Sequence, residues 1–136
     1  MATILIIDDD PDFLETEGLV LENAGYSVEM AGTPEKGLEK VQTTHPDLVI
    51  LDVMMPDGLE GFDVARNIRE TLGLRKLPII LLTNLHARRK VAYKFAPDET
   101  YLPVDVFLDK PVPPDELVSK VKELLGDSTE VPDTPL

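Results

Sequence analysis

The chain has 136 residues, no cysteine, and 26 acidic against 13 basic residues, for a formal net charge of −13. That length suits one compact domain. The lack of cysteine excludes a disulfide scaffold, a thiolate nucleophile and a zinc–thiolate site, and the acidity argues against direct binding to the polyanionic backbone of DNA or RNA.

In chain order, a first strand is expected over residues 3–7, followed by Asp8, Asp9, Asp10 and Pro11. Its run Ile4-Leu5-Ile6-Ile7 is too short for a signal-peptide core and has no basic flank. No other run approaches the roughly 20 apolar residues of a membrane span. A cytoplasmic protein without a membrane partner is the expectation. An amphipathic helix over about 12–24 sets Phe13, Glu17 and Leu21 at four-residue steps, with Leu14, Leu19 and Val20 widening its apolar side. Gly25 reads as its stop. A second strand covers 27–30. Thr33-Pro34 reads as an N-cap and first helical residue, opening a helix through Val41. A third strand over 48–51 leads into Asp52, and a helix is expected over about 60–72. The fourth strand, 79–83, ends in Thr83, and a helix is expected over 85–95. After a proline-bounded loop at 97–103, a fifth strand over 104–108 runs into Asp109-Lys110-Pro111, and a last helix spans 114–125. Residues 1–126 are expected to form the domain, and 127–136, with two prolines and three acids, an acidic tail or linker lacking order.

Strands alternating with helices give the βαβ rhythm of an α/β protein: an open parallel sheet with helices on both faces. Four of the five strand runs are nearly continuous in apolar residues, as strands covered on both faces require. A flavodoxin-like (βα)5 sheet with strand order 2-1-3-4-5 is a common solution, and its ligands bind beyond the carboxyl ends of the strands.

The residues following the strands then become candidates. If the first and third strands are neighbours, Asp8, Asp9 and Asp52 gather at one edge, where mutual repulsion calls for a cation. A hard divalent ion such as Mg²⁺ takes one or two carboxylates and keeps several waters. Thr83 and Lys110 offer a hydroxyl and an ammonium to an anion held there. Metal, ammonium and hydroxyl around one acceptor carboxylate make a phosphoryl-binding set.

With these pieces in place the chain resembles the receiver domains of two-component response regulators. The matching segments are Ile4-Leu5-Ile6-Ile7-Asp8-Asp9-Asp10-Pro11, Leu51-Asp52-Val53-Met54-Met55-Pro56, Leu82-Thr83 and Lys110-Pro111, in order over about residues 3–126. The resemblance implies that Asp52 is the phosphoacceptor. It implies that Asp9 binds Mg²⁺ directly, Asp8 largely through water, and Met54 through its main-chain carbonyl. Thr83 and Lys110 would bind phosphoryl oxygens, a cis bond would precede Pro111, and Thr83 and Phe107 would form the conformational switch. The implied donor is a histidine kinase or a histidine phosphotransfer protein, and an unidentified downstream protein reads the change. Self-phosphorylation and autodephosphorylation would be its only chemistry, so it is no enzyme in the turnover sense. With no output segment after the domain, a stand-alone chemotaxis-type receiver, or an excised one, is expected.

Some positions depart from the family's pattern. Asp57-Gly58-Leu59-Glu60-Gly61 is one residue longer than its commonest spacing, Asn84 stands where a small residue is usual, and 96–103 is long and proline-rich. The resemblance implies that the side chains two positions after Asp52 and two after Thr83 influence water attack; here they are Met54 and Leu85, and neither can orient or deprotonate water. A long-lived phospho-Asp52 is therefore expected. Two rivals remain. A haloacid-dehalogenase-like phosphohydrolase would use Asp8 as nucleophile and Asp10 as acid/base, but it would leave Asp52 unused, and the chain lacks that family's cap and later paired acids. A degenerate receiver would only bind partners, against which the intact Asp8, Asp9, Asp52, Thr83 and Lys110 set stands. The alternative for Asp10 and Asp12 is helix capping.

Overall fold

A computed structural model of the chain describes residues 2–52, 60–83, 104–109 and 112–126. Five parallel strands, β1 (Thr3–Asp8), β2 (Ser27–Ala31), β3 (Leu48–Asp52), β4 (Ile79–Thr83) and β5 (Val106–Asp109), form one sheet in the order β2-β1-β3-β4-β5. Four helical segments are described: α1 (Pro11–Asn23), α2 (Pro34–Thr44), α3 (Glu60–Arg66) with a π-helical continuation at Asn67–Thr71, and α4 (Pro114–Leu125). The helix expected over 85–95 lies outside the described residues.

The two-residue alternation of a strand sorts the apolar runs onto two faces. Ile4, Ile6, Leu48, Ile50, Ile80 and Leu82 pack with Leu21 of α1 and with Leu117 and Val121 of α4. Leu5, Ile7, Val49, Leu51, Ile79 and Leu81 pack on the other face with Val41 of α2, Val64 and Ala65 of α3, and Ile68 of the π turn. Both faces are therefore dry, which is why β1 and β3 read as unbroken apolar runs. The expected flavodoxin-like architecture, with its strand order and its helices on both faces, is what forms.

Local chemistry explains the element ends. Asp10 caps α1 by accepting from the Asp12 N–H at 3.0 Å, ahead of Pro11 in the first turn. Thr33 Oγ1 caps α2 by accepting from the Lys36 N–H at 3.1 Å. Past α1, Gly25 takes a left-handed φ of 101°, which a side chain would strain.

The structure corrects several boundaries. β1 and β3 run one residue further than the apolar pattern, so Asp8 and Asp52 belong to the strands rather than following them. β5 begins at Val106, because the carboxylate of Asp105 accepts from the Ile79 N–H in place of a main-chain carbonyl. The expected continuous helix over 60–72 changes to a π turn at Asn67. Leu19, counted with the apolar side of α1, is 54% exposed, since it sits about 200° around the helix from the buried Glu17. It lines an open groove with Leu14 and Met30.

Candidate functional site

Two clamps of the same kind stand at the amino edge of the sheet. Before β3, the Asp47 N–H donates to the Thr3 carbonyl at 2.7 Å, and the Asp47 carboxylate accepts from the Thr3 N–H at 2.8 Å. Before β5, Asp105 does the same with Ile79, at 2.8 Å in both directions. Each clamp starts a parallel ladder whose far end holds candidate residues. From the first, Ile4 pairs with Leu48 and the register runs on to Asp8 opposite Asp52. From the second, Ile80 pairs with Val106 and the register runs on to Thr83 opposite Asp109.

Asp8 and Asp52 therefore lie side by side, one strand spacing of about 4.8 Å apart along the backbone, and both are 0% exposed. One oxygen of Asp8 accepts from the Asp10 N–H at 2.8 Å, which ties the carboxylate to the turn that follows β1. The three successive acids thus have three environments: Asp8 is buried at the strand end, Asp9 is exposed, and Asp10 caps α1. The backbone brings Thr83 to the same edge, and Phe107 and Asp109 lie on the neighbouring β5. Met54, Asn84, Leu85, Lys110 and Pro111 lie outside the described residues, as does His86. His45 is exposed and ends α2 in a left-handed conformation, away from the carboxylates.

The donor set fits a hard cation. Two buried carboxylates at neighbouring strand ends concentrate negative potential, and Mg²⁺ is satisfied by one or two such ligands with water completing its octahedron. Among the described residues no group of three or more acidic or histidine side chains is gathered closely enough to hold a metal by side chains alone. The pair would thus need oxygen from the main chain or from water.

The arrangement also weakens the phosphohydrolase alternative. Its acid/base would be Asp10, and the side chain of Asp10 is engaged at the helix N-terminus.

Comparison with known proteins decides the family. Residues 4–122 match the response regulator receiver domain. The chain belongs to that family. The receiver domain is similar to the DNA-binding dual master transcriptional regulator RpaA of Synechocystis, with 33% identity over 97% of this chain and 52% of that protein. It is similar also to the response regulator MprA of Mycobacterium sp. strain KMS, with 37% identity over 97% of this chain and 55% of that protein. The chain spans about half the length of these curated relatives. Among solved structures, the signal receiver domain of a histidine kinase from Syntrophus aciditrophicus matches with a TM-score of 0.78 and 32% identity, covering 100% of this receiver and 98% of that chain. The response regulator TrrA of Thermotoga maritima, solved in complex with Mg²⁺–BeF, matches with a TM-score of 0.74 and 35% identity over 91% of this receiver and 99% of that chain.

Arg69 and Asp105 escaped the reading of the sequence. Arg69 stands four residues after the buried Ala65, so a cation on the apolar stripe of the helix was the available signal. Asp105 carries no such mark, since an acid before a strand is ordinary loop chemistry.

Proposed function

We propose that this receiver accepts a phosphoryl group on Asp52 from a phosphohistidine of a histidine kinase or phosphotransfer protein, and signals by changing conformation. The observation that carries this reading is the register pairing of Asp8 with Asp52, both fully buried at the carboxyl edge of neighbouring strands. A carboxylate oxygen of Asp52 forms the new O–P bond as the donor's N–P bond breaks, and the imidazole nitrogen leaves with the bonding pair and takes up a proton. Asp8 and Asp52 would hold Mg²⁺ with the Met54 carbonyl and water, and Asp9 would join them by turning its exposed side chain inward. Bound there, the ion would offset the carboxylate charge and stabilise the negative charge of the transferring group. Lys110 and the Thr83 hydroxyl meet phosphoryl oxygens from the other side. Asp52 then carries a dianionic group inside a water-poor edge, and Thr83 and Phe107 shift together to accommodate it, biasing a two-state equilibrium that a partner protein reads.

The reading is of a covalent relay rather than a turnover enzyme. Residues 1–126 form the receiver and 127–136 a tail or linker, in a cytoplasmic setting that suits a kinase's phosphohistidine. No helix among the described residues is long and apolar enough to cross a membrane. RpaA is a DNA-binding protein by name, but this chain's charge of −13 favours a protein partner over direct contact with a polyanion.

The test is intact mass after incubation with Mg²⁺ and acetyl phosphate for wild type, Asp52→Asn and Asp8→Asn. One phosphoryl adduct on wild type and none on Asp52→Asn is expected, and slow decay of the adduct would agree with apolar Met54 and Leu85. Steady release of phosphate without an adduct, abolished by Asp8→Asn, would support the phosphohydrolase instead.

A further inference from the structure

The two clamps at the amino edge are built alike, but only the second is held by a buried cation among the described contacts. Asp105 Oδ2 accepts at 2.8 Å from Arg69 Nη2 as well as from the Ile79 N–H. The Arg69 side chain is 6% exposed, and its Nη1 donates to the carbonyl of Leu74 at 3.0 Å and to that of Leu77. One guanidinium therefore ties the connection between the π turn and β4 to the residue that opens β5. A planar fork of donors suits this task, since it engages carbonyls and a carboxylate at fixed angles where an ammonium would not.

The two ladders differ in how much else fixes them. β1 and β3 are central strands of six and five residues, and every residue of β3 is buried. Their register is over-determined by packing. β5 is an edge strand of four residues that pairs only with β4. An edge strand has a partner on one side only, so the register of β5 rests on that one ladder and on the packing of Leu108, which is 4% exposed. A slip of one residue would move the end of β5 by about 3.3 Å and turn Leu108 away from the core face on which it packs. Lys110 follows directly on that end, and displacements of about 1 Å are enough to damage a reacting geometry by large factors.

We infer that Arg69, acting through Asp105, is a positioning residue for phosphoryl transfer. It fixes the register of β5 on β4 at one edge of the sheet, and thereby the strand end at the other, where Asp109 stands opposite Thr83 and the chain continues into Lys110. The inference rests on the assignment of Lys110 to phosphoryl binding. It does not involve the Asp8–Asp52 pair, whose register is held by the packing of β1 and β3 together with the separate Asp47 clamp.

The experiment is a double-mutant cycle between Arg69→Met and Lys110→Ala in the full chain. The rate of adduct formation with acetyl phosphate is read by intact mass, and Mg²⁺ affinity by calorimetry. Arg69→Met should slow adduct formation by about tenfold or more, leave the Mg²⁺ Kd within about twofold, and add no further slowing on the Lys110→Ala background. Arg69→Lys should recover part of the rate. Asp105→Asn, at a side chain that is 42% exposed, gives a milder variant should Arg69→Met fail to fold, and the same pattern is expected of it. A wild-type rate in folded Arg69→Met and Asp105→Asn would overturn the inference. So would equal slowing with and without Lys110, which is the signature of general destabilisation. A wild-type rate in Lys110→Ala alone would overturn the underlying assignment and the inference with it.

Discussion

At the scale of single residues, burial separates acids that composition cannot. Asp8, Asp9 and Asp10 are consecutive and chemically identical, yet the strand end buries the first, exposes the second, and gives the third to the helix α1 as its cap. A cap is worth about 1 kcal/mol. Asp10→Ala should therefore lower unfolding stability by about that amount in urea titration while still accepting a phosphoryl group on Asp52. Loss of the adduct in a folded Asp10→Ala would give Asp10 a role in the chemistry and reopen the phosphohydrolase. The candidate acceptor was legible because a carboxylate directly after an apolar strand is unusual when it recurs on a neighbouring strand. Arg69 was not legible as a positioning group. Its meaning comes from Asp105, 36 residues away in sequence, and no local pattern reports such a partner.

Among the elements, helices and strands with strong periodicity were read nearly to the residue. α4 occupies the expected 114–125, and β4 the expected 79–83. The departures in β5 and in the helix after Glu60 have their cause in hydrogen bonding rather than hydrophobicity. β5 starts late because a side chain takes over a ladder bond, and the helix after Glu60 loosens at Asn67, where the Leu72 N–H donates five residues back to Asn67 at 3.0 Å. Close approach between elements is also invisible to periodicity. Gly37 of α2 lies against β1 so tightly that a methyl group there would run into Cδ1 of Ile7 and come within 2.8 Å of its Cγ1. Ile7 is 0% exposed and directly precedes Asp8, so it has no room to yield. Gly37→Ala should cost about 1–3 kcal/mol despite the better helix propensity of alanine. Thermal melts showing equal or greater stability would mean that α2 can lift from the sheet without penalty.

Over the whole molecule, a charge of −13 makes the folded chain repel itself, and the buried Asp8–Asp52 pair concentrates that repulsion at one point. A cation that binds only the folded form must then stabilise it. At a concentration one hundredfold above its Kd, Mg²⁺ should add about 2.7 kcal/mol, and Asp8→Ala should abolish most of this gain. An equal rise in melting temperature for both proteins would assign the effect to general screening instead. The architecture itself was the most legible level, since five apolar runs separated by amphipathic stretches leave few right-handed arrangements. What remained hidden were the side-chain clamps at the opposite edge, where Asp47 and Asp105 take up main-chain N–H groups ahead of β3 and β5.

The most direct test of the central claim is chemical location of the phosphoryl group. Reduction of an aspartyl phosphate with borohydride converts that residue to homoserine, which peptide mass spectrometry can place in the sequence. After treatment with acetyl phosphate and Mg²⁺, homoserine at position 52 alone is the expected result. Homoserine at position 8, or none under conditions in which a known receiver is labelled, would contradict the assignment of Asp52 as the acceptor.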